Sequence, residues 1–173
     1  MADPRYPIGQ VSPKGALTTD ERQQAFSAMA ALPNQLYDAV RGLSETQLDT
    51  PYRAGGWNLR QVVHHLADSH INAYGRHKLT ISENMPTLQA YDEGMWANMV
   101  DANAPIGSSL LILQGIHTRL VDSLRSQPER VFKRRAMHSE GGEMTLDDLV
   151  TMYAWHGAHH VAHITTLRAQ KGW

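Results

Sequence analysis

The chain has 173 residues, enough for one domain that buries a core without disulfide or metal staples. Its 16 basic residues are balanced by 17 acidic ones, so no surplus of positive charge is available to follow a phosphate backbone, and nucleic acid is not an expected partner. Cysteine is absent, which excludes disulfides, thiolate catalysis and Cys-containing zinc sites; any metal must be held by nitrogen and oxygen.

Residues 1–17 read as an extended arm, polar and punctuated by prolines, without the apolar core of a secretory signal. No apolar run approaches the ~20 residues of a membrane span, and a cytoplasmic location is the simplest expectation. Thr18-Thr19-Asp20-Glu21 then carries a capping hydroxyl and early acids, and predicts a first helix over 19–43, bent or broken near Pro33. SETQLDTPYRAGG predicts a short helical turn and then a loop, because Pro51 and Gly55-Gly56 break regular structure. A second helix is expected from Asn58, its N-cap, through LRQVVHHLADSHINAYGRHKLTIS. There Leu59, Val62, Val63, Leu66 and Ala73 recur at helical spacing.

The long connection ENMPTLQAYDEGMWANMVDANAPIG holds Met85, Tyr91, Met95, Trp96 and Met99, and is expected to pack on the domain through them. SSLLILQGIHTRLVDSLRS predicts a third helix capped by Ser108 or Ser109 and ending before Pro128. FKRRAMHSEGGEMTL predicts a small hairpin about Gly141-Gly142. Thr145 caps a fourth helix that runs to Gly172. Four long helices with little strand signal predict a single all-α domain, a four-helix bundle over residues 1–173.

Histidine is the anomaly. Of 10 in the chain, four fall in AWHGAHHVAHI (154–164) and four more in HHLADSHINAYGRH. On the last helix, His156/His160 and His159/His163 both have the i,i+4 spacing of paired ligands. At about 100° per residue, Leu146, Val150, Tyr153, Gly157, Ile164 and Leu167 form one stripe. His160 lies in that stripe and His156 at its edge, so this pair is expected to face the core and bind metal. His163 is further round, placed to support a ligand, contact substrate or move a proton. His159 is expected on the solvated face.

Two imidazoles make a weak site, and a catalytic zinc typically has three protein ligands and an open position. On the second helix His64 points away from the apolar face. Periodicity does not choose among His65, His70 and His77 as the third ligand. Asp68, three residues after His65, could orient a ligand or act as a base. Arg53, Trp57, Tyr74, Arg76, Trp96 and Tyr153 are candidates to line a pocket, with arginine suited to a carboxylate; taken singly, the aromatics read as core and the arginines as surface.

LDTPYRAGGWNLRQVVHHLADSHINAYGRHKL and YAWHGAHHVAHITTLRAQKGW, with YPIG near the N-terminus, resemble the DinB/YfiT-like superfamily along the whole chain. That resemblance implies a DinB-like four-helix bundle, with one divalent metal per chain, zinc or alternatively nickel. The implied ligands are His65, from the His-Leu step of the second helix, and the HxxxH pair His156 and His160. It also implies a cytoplasmic homodimer acting on a small molecule, as a metal-dependent hydrolase. Relatives in the group include thiol-dependent transferases, so a bacillithiol-type S-transfer with a low-molecular-weight thiol is the alternative activity. A non-catalytic, metal-stabilised stress-response bundle is the alternative to an enzyme. His163 and Asp68 are the candidate catalytic residues beside the metal.

Overall fold

The structure, a computed structural model, describes residues 3–12 and 15–173. The remaining parts of the expected arm, residues 1–2 and 13–14, lie outside the described residues. Helix α1 spans Thr19–Val40, with Thr18 and Glu21 forming a reciprocal cap. It runs through Pro33 without a break. It stops at Val40 rather than residue 43, where Gly42 turns the chain with φ +79°. The short α2 (Glu45–Leu48) is capped by Ser44, and α3 (Leu59–Ser82) by Asn58 with Gln61.

The connection to the next long helix contains β1 (Thr87–Leu88), α4 (Glu93–Trp96) and a 3-10 turn at Val100–Asn103. It packs as expected, with Tyr91 half-buried, but otherwise through different residues. Leu88, Ala97 and Ala102 are buried, while Met85, Met95, Trp96 and Met99 remain exposed.

Helix α5 spans Gly107–Arg125. Neither Ser108 nor Ser109 caps it; Ser109 Oγ instead pairs with His64 Nδ1 at 2.8 Å. Strands β2 (Arg135–His138) and β3 (Gly142–Thr145) make the expected antiparallel hairpin, with Ala136 opposite Met144. Strand β1 adds to it in parallel, Thr87 opposite Met137, a pairing the sequence reading did not foresee. Helix α6 (Leu146–Lys171) begins at a Thr145–Asp148 cap and ends where Gly172 adopts φ +69°.

Among the described residues the long helices are α1, α3, α5 and α6. Helix α1 packs on α5 and α6, and so does α3, so α1 and α3 sit on one diagonal and α5 and α6 on the other. The core divides into two apolar clusters. One gathers Phe26 and Met29 of α1, Ala73 of α3, Leu120 and Leu124 of α5, and Leu149 and Tyr153 of α6. The other gathers Leu36 and Val40, Leu59 and Leu66, Leu113, and Ile164 and Leu167. In chain order α1 and α6 pass from the first cluster to the second, and α3 and α5 pass the opposite way. Since α3 and α5 are therefore parallel neighbours, the segment between them must retrace the bundle's length. That requirement accounts for the long connection at residues 83–106. Between the two clusters every long helix contributes to one cross-section: Leu32 and Pro33, His65 and His70, His117, and His156 and His160.

Two contacts fix this arrangement. The carboxylate of Asp147, 1% exposed, accepts two hydrogen bonds from Arg22, at 2.8 and 3.0 Å, and one from the backbone N–H of Leu17 at 3.0 Å. This ties the start of α6 to α1 and the arm. Gly157 lets α1 approach α6 closely: a Cβ there would lie 2.5 Å from Leu32 Cδ2.

Candidate metal centre

The Asn58 and Thr145 caps set where α3 and α6 begin, and so which face each helix turns inward. The helical period then brings His65 of α3 against His156 and His160 of α6. One ring nitrogen from each lies within 4.8 Å of the others. His65 Nε2 and His156 Nε2 are 3.3 Å apart. Two ligands about 2.0–2.1 Å from a tetrahedral ion are separated by roughly that distance, so the pair fits a shared metal. Burial holds the His65 imidazole down to about 4, and holds His156 and His160 well below the ordinary histidine value. All are therefore neutral near pH 7, the form that binds metal. His65 and His160 are buried and His156 is half-buried.

Each imidazole of α6 has a further partner. His160 Nδ1 lies 3.3 Å from His163 Nδ1, and His163 Nε2 donates to the Arg5 carbonyl at 3.2 Å. A carbonyl only accepts, so His163 is protonated at Nε2 and bare at Nδ1. His160 must then donate from Nδ1, which leaves its Nε2 lone pair free. A second triad, His159, His160 and His163, is equally compact. There, however, His163 already spends both nitrogens on Arg5 and His160. The set on α3 and α6 has no such conflict.

Other expectations need correction. His159 is not on a solvated face: it is 6% exposed, stacked on Trp155 at 4.3 Å and close to Tyr6. The N-terminal arm covers that side of α6, which periodicity within the helix does not register. His64 is also buried, with its two nitrogens 2.8 Å from Ser109 Oγ and 2.9 Å from the Ala104 carbonyl. His77 is fully buried, donating from Nδ1 to the Ala73 carbonyl at 2.7 Å. His70 sits between α6 and α5, its Nε2 3.2 Å from His156 Nδ1 and its Nδ1 2.8 Å from His117 Nε2. His117 did not figure among the candidates, although it fills a slot in the stripe Leu113, His117, Leu120, Leu124.

Asp68 makes no described side-chain hydrogen bond to the triad. It lines a small cavity of about 150 Å³ with His64, Trp96 and Asp101, and burial raises its pKa. The pocket candidates do not converge on one pocket. Arg53 lines a cavity of about 510 Å³ with Tyr52 and His163, whose rings stack at 4.1 Å. Trp57 lies against His65 at 4.7 Å. Arg76 donates to Tyr153 Oη at 2.7 Å and lines a separate cavity with Tyr91 and Glu93. Tyr74 meets Arg119 in a cation–π contact. Trp96 stands exposed beside Tyr91.

The sequence profile of the DinB superfamily matches residues 28–164. The chain belongs to the DinB superfamily. A protein of Bacillus mycoides (strain KBAB4), provisionally named a metal-dependent hydrolase, is 44% identical over the full length of both chains. One of Bacillus cereus (strain 03BB102), with the same provisional name, is likewise 44% identical over both full lengths. Among solved structures, YfiT from Bacillus subtilis superposes with a TM-score of 0.96 at 40% identity, covering 99% of each chain. YfiT is described as a probable metal-dependent hydrolase with an unusual four-helix bundle topology. In this DinB-superfamily chain the parallel neighbours α3 and α5 depart from simple up-and-down order. A more distant bundle, TT2238, shares the fold at 17% identity, with a TM-score of 0.56 and coverage of 88% of this chain and 99% of its own.

Proposed function

We propose that the protein is a metal-dependent hydrolase of a small molecule, using one divalent ion, zinc or alternatively nickel, held by His65, His156 and His160. The observation that carries this reading is the 3.3 Å approach of His65 Nε2 to His156 Nε2, with His160 completing the triad. When bound, such an ion supplies Lewis acidity that lowers the pKa of water from 15.7 to about 7, giving a nucleophile at neutral pH. No fourth histidine, aspartate or glutamate joins this triad among the described residues. That supports an open position over the closed shell of a purely structural site.

The chain's own residues have distinct tasks. Trp57 covers His65 and limits the motion of its ring. His163 holds His160 through Nδ1 and the arm through Arg5, so its first role is positioning. It also forms one wall of the 510 Å³ cavity, a volume suited to a small substrate. There Arg53 offers a guanidinium to an anionic group. Among the described residues no helix is long and apolar enough to cross a membrane. A homodimer in the cytoplasm is the assembly and location we propose with this activity.

Zinc-loaded protein incubated with a panel of esters and amides tests the reading. The expected result is turnover that is lost in His160→Ala. Consumption of a low-molecular-weight thiol with an electrophile, in place of hydrolysis, would favour the S-transfer alternative. Full metal loading with neither activity would favour the non-catalytic bundle.

A further inference from the structure

Helix α1 continues through Pro33, which has no backbone N–H. The carbonyl four residues earlier, on Met29, therefore loses its helical donor. A buried carbonyl needs one, and His117 Nδ1 on α5 approaches it at 2.6 Å. Because the carbonyl can only accept, His117 carries its proton on Nδ1 and a lone pair on Nε2. His70 Nδ1 lies 2.8 Å from that lone pair and must donate. His70 Nε2 is then bare, and His156 Nδ1, 3.2 Å away, must donate in its turn. His156 is left with a lone pair on Nε2, the atom that faces His65. Neutral imidazoles are required at every link, and burial depresses all three histidines toward the neutral form.

We propose that Pro33, through the Met29 carbonyl it frees, sets the tautomers of His117, His70 and His156 in sequence and so presents His156 as an Nε2 ligand before metal arrives. This rests on the reading of His65, His156 and His160 as the metal site. His70 and His117 are positioning residues in one line of hydrogen bonds that joins all four long helices. The line ends on a carbonyl, which does not take up a proton, so it orients the ligand and does not conduct protons away. The shorter line from His160 through His163 to the Arg5 carbonyl has the same polarity. Both ligands of α6 are thus prepared from backbone carbonyls.

Selective 15N labelling of histidine, read by two-bond proton–nitrogen correlations in the metal-free protein, reports each tautomer directly. The expected result is protonation at Nδ1 for His70, His117 and His156. Zinc affinity, measured by competition with a chelator, supplies the second readout. His117→Leu removes both the donor to Met29 and the acceptor for His70, and zinc affinity should fall by about 10–100-fold. His117→Gln retains a donor and an acceptor and should recover to within roughly threefold of the wild type, which a loss of packing alone would not predict. Pro33→Ala returns a helical donor to Met29 and should weaken zinc binding without lowering the melting temperature. Protonation of His70 at Nε2 in the wild type, or equal zinc affinity in wild type and His117→Leu, would overturn the proposal. Should His117→Leu not fold, the wild-type tautomers and His117→Gln decide. A wild type with these tautomers but no zinc binding would support the relay and sink the metal reading; zinc binding with the opposite tautomers would do the reverse.

Discussion

The two apolar clusters and the histidine layer between them solve opposite problems on the same four helices. In the clusters, Phe26, Leu124 and Leu149 on one side and Leu36, Leu59 and Leu167 on the other gain by leaving water, and any well-fitting hydrophobic arrangement would serve. In the layer, five imidazoles are removed from water and each must find a partner of the right polarity. His65, His70, His117 and His160 are buried and His156 is half-buried, and the nitrogens of His70, His117 and His156 meet other imidazoles or a backbone carbonyl. The clusters stabilise the bundle; the layer is held by it. A polar layer kept in a core at that cost is a reason to look there for function.

The largest effect that separates the regions is acid. In the layer, burial disfavours the charge of His65 and pushes its pKa down to about 4 in the folded protein, against 6.5 when unperturbed. Between those values the unfolded chain holds a proton that the native state refuses. Stability is therefore full above about pH 6.5 and falls as pH drops toward 4, by about 1.4 kcal/mol per unit for each such histidine. With the layer histidines shifted in the same direction, urea denaturation of the metal-free protein should show a midpoint that is flat from pH 8 to 7 and falls steeply below 6.5. A midpoint unchanged down to pH 5 would mean the imidazoles are not buried neutral. The smaller effect concerns the fit around the layer. Gly157→Ala places a methyl group against Leu32 one helical turn from His160, and should destabilise the protein by about 1–3 kcal/mol in the same assay. No change would mean that α1 and α6 are further apart than the structure has them.

How much of this could be read in advance differs between the regions. The caps at Thr18, Asn58 and Thr145 and the stripes of α3 and α6 are local patterns, and the structure has them where sequence places them. The pairing of His156 with His160 on an inward face is likewise a property of one helix. What periodicity could not choose was the partner from α3, since His65, His70 and His77 all turn inward and only the packing of α6 separates them. Helical periodicity misplaces His159 and His64 because segments distant in sequence, the arm around Tyr6 and the stretch around Ala104, cover the faces they occupy. Pro33 looked like a helix breaker. In the folded protein the carbonyl it frees finds its donor on another helix, a compensation no local pattern reveals.

Both compact triads contain His160, so the substitutions that decide between them are His65→Ala and His159→Ala. The most direct measurement is metal content by plasma mass spectrometry on untagged wild type and these two variants, after incubation with zinc and removal of the excess. A site shared between α3 and α6 requires roughly one ion per chain in the wild type and in His159→Ala, and almost none in His65→Ala. Metal retained in His65→Ala and lost in His159→Ala would place the site on α6 alone and contradict it.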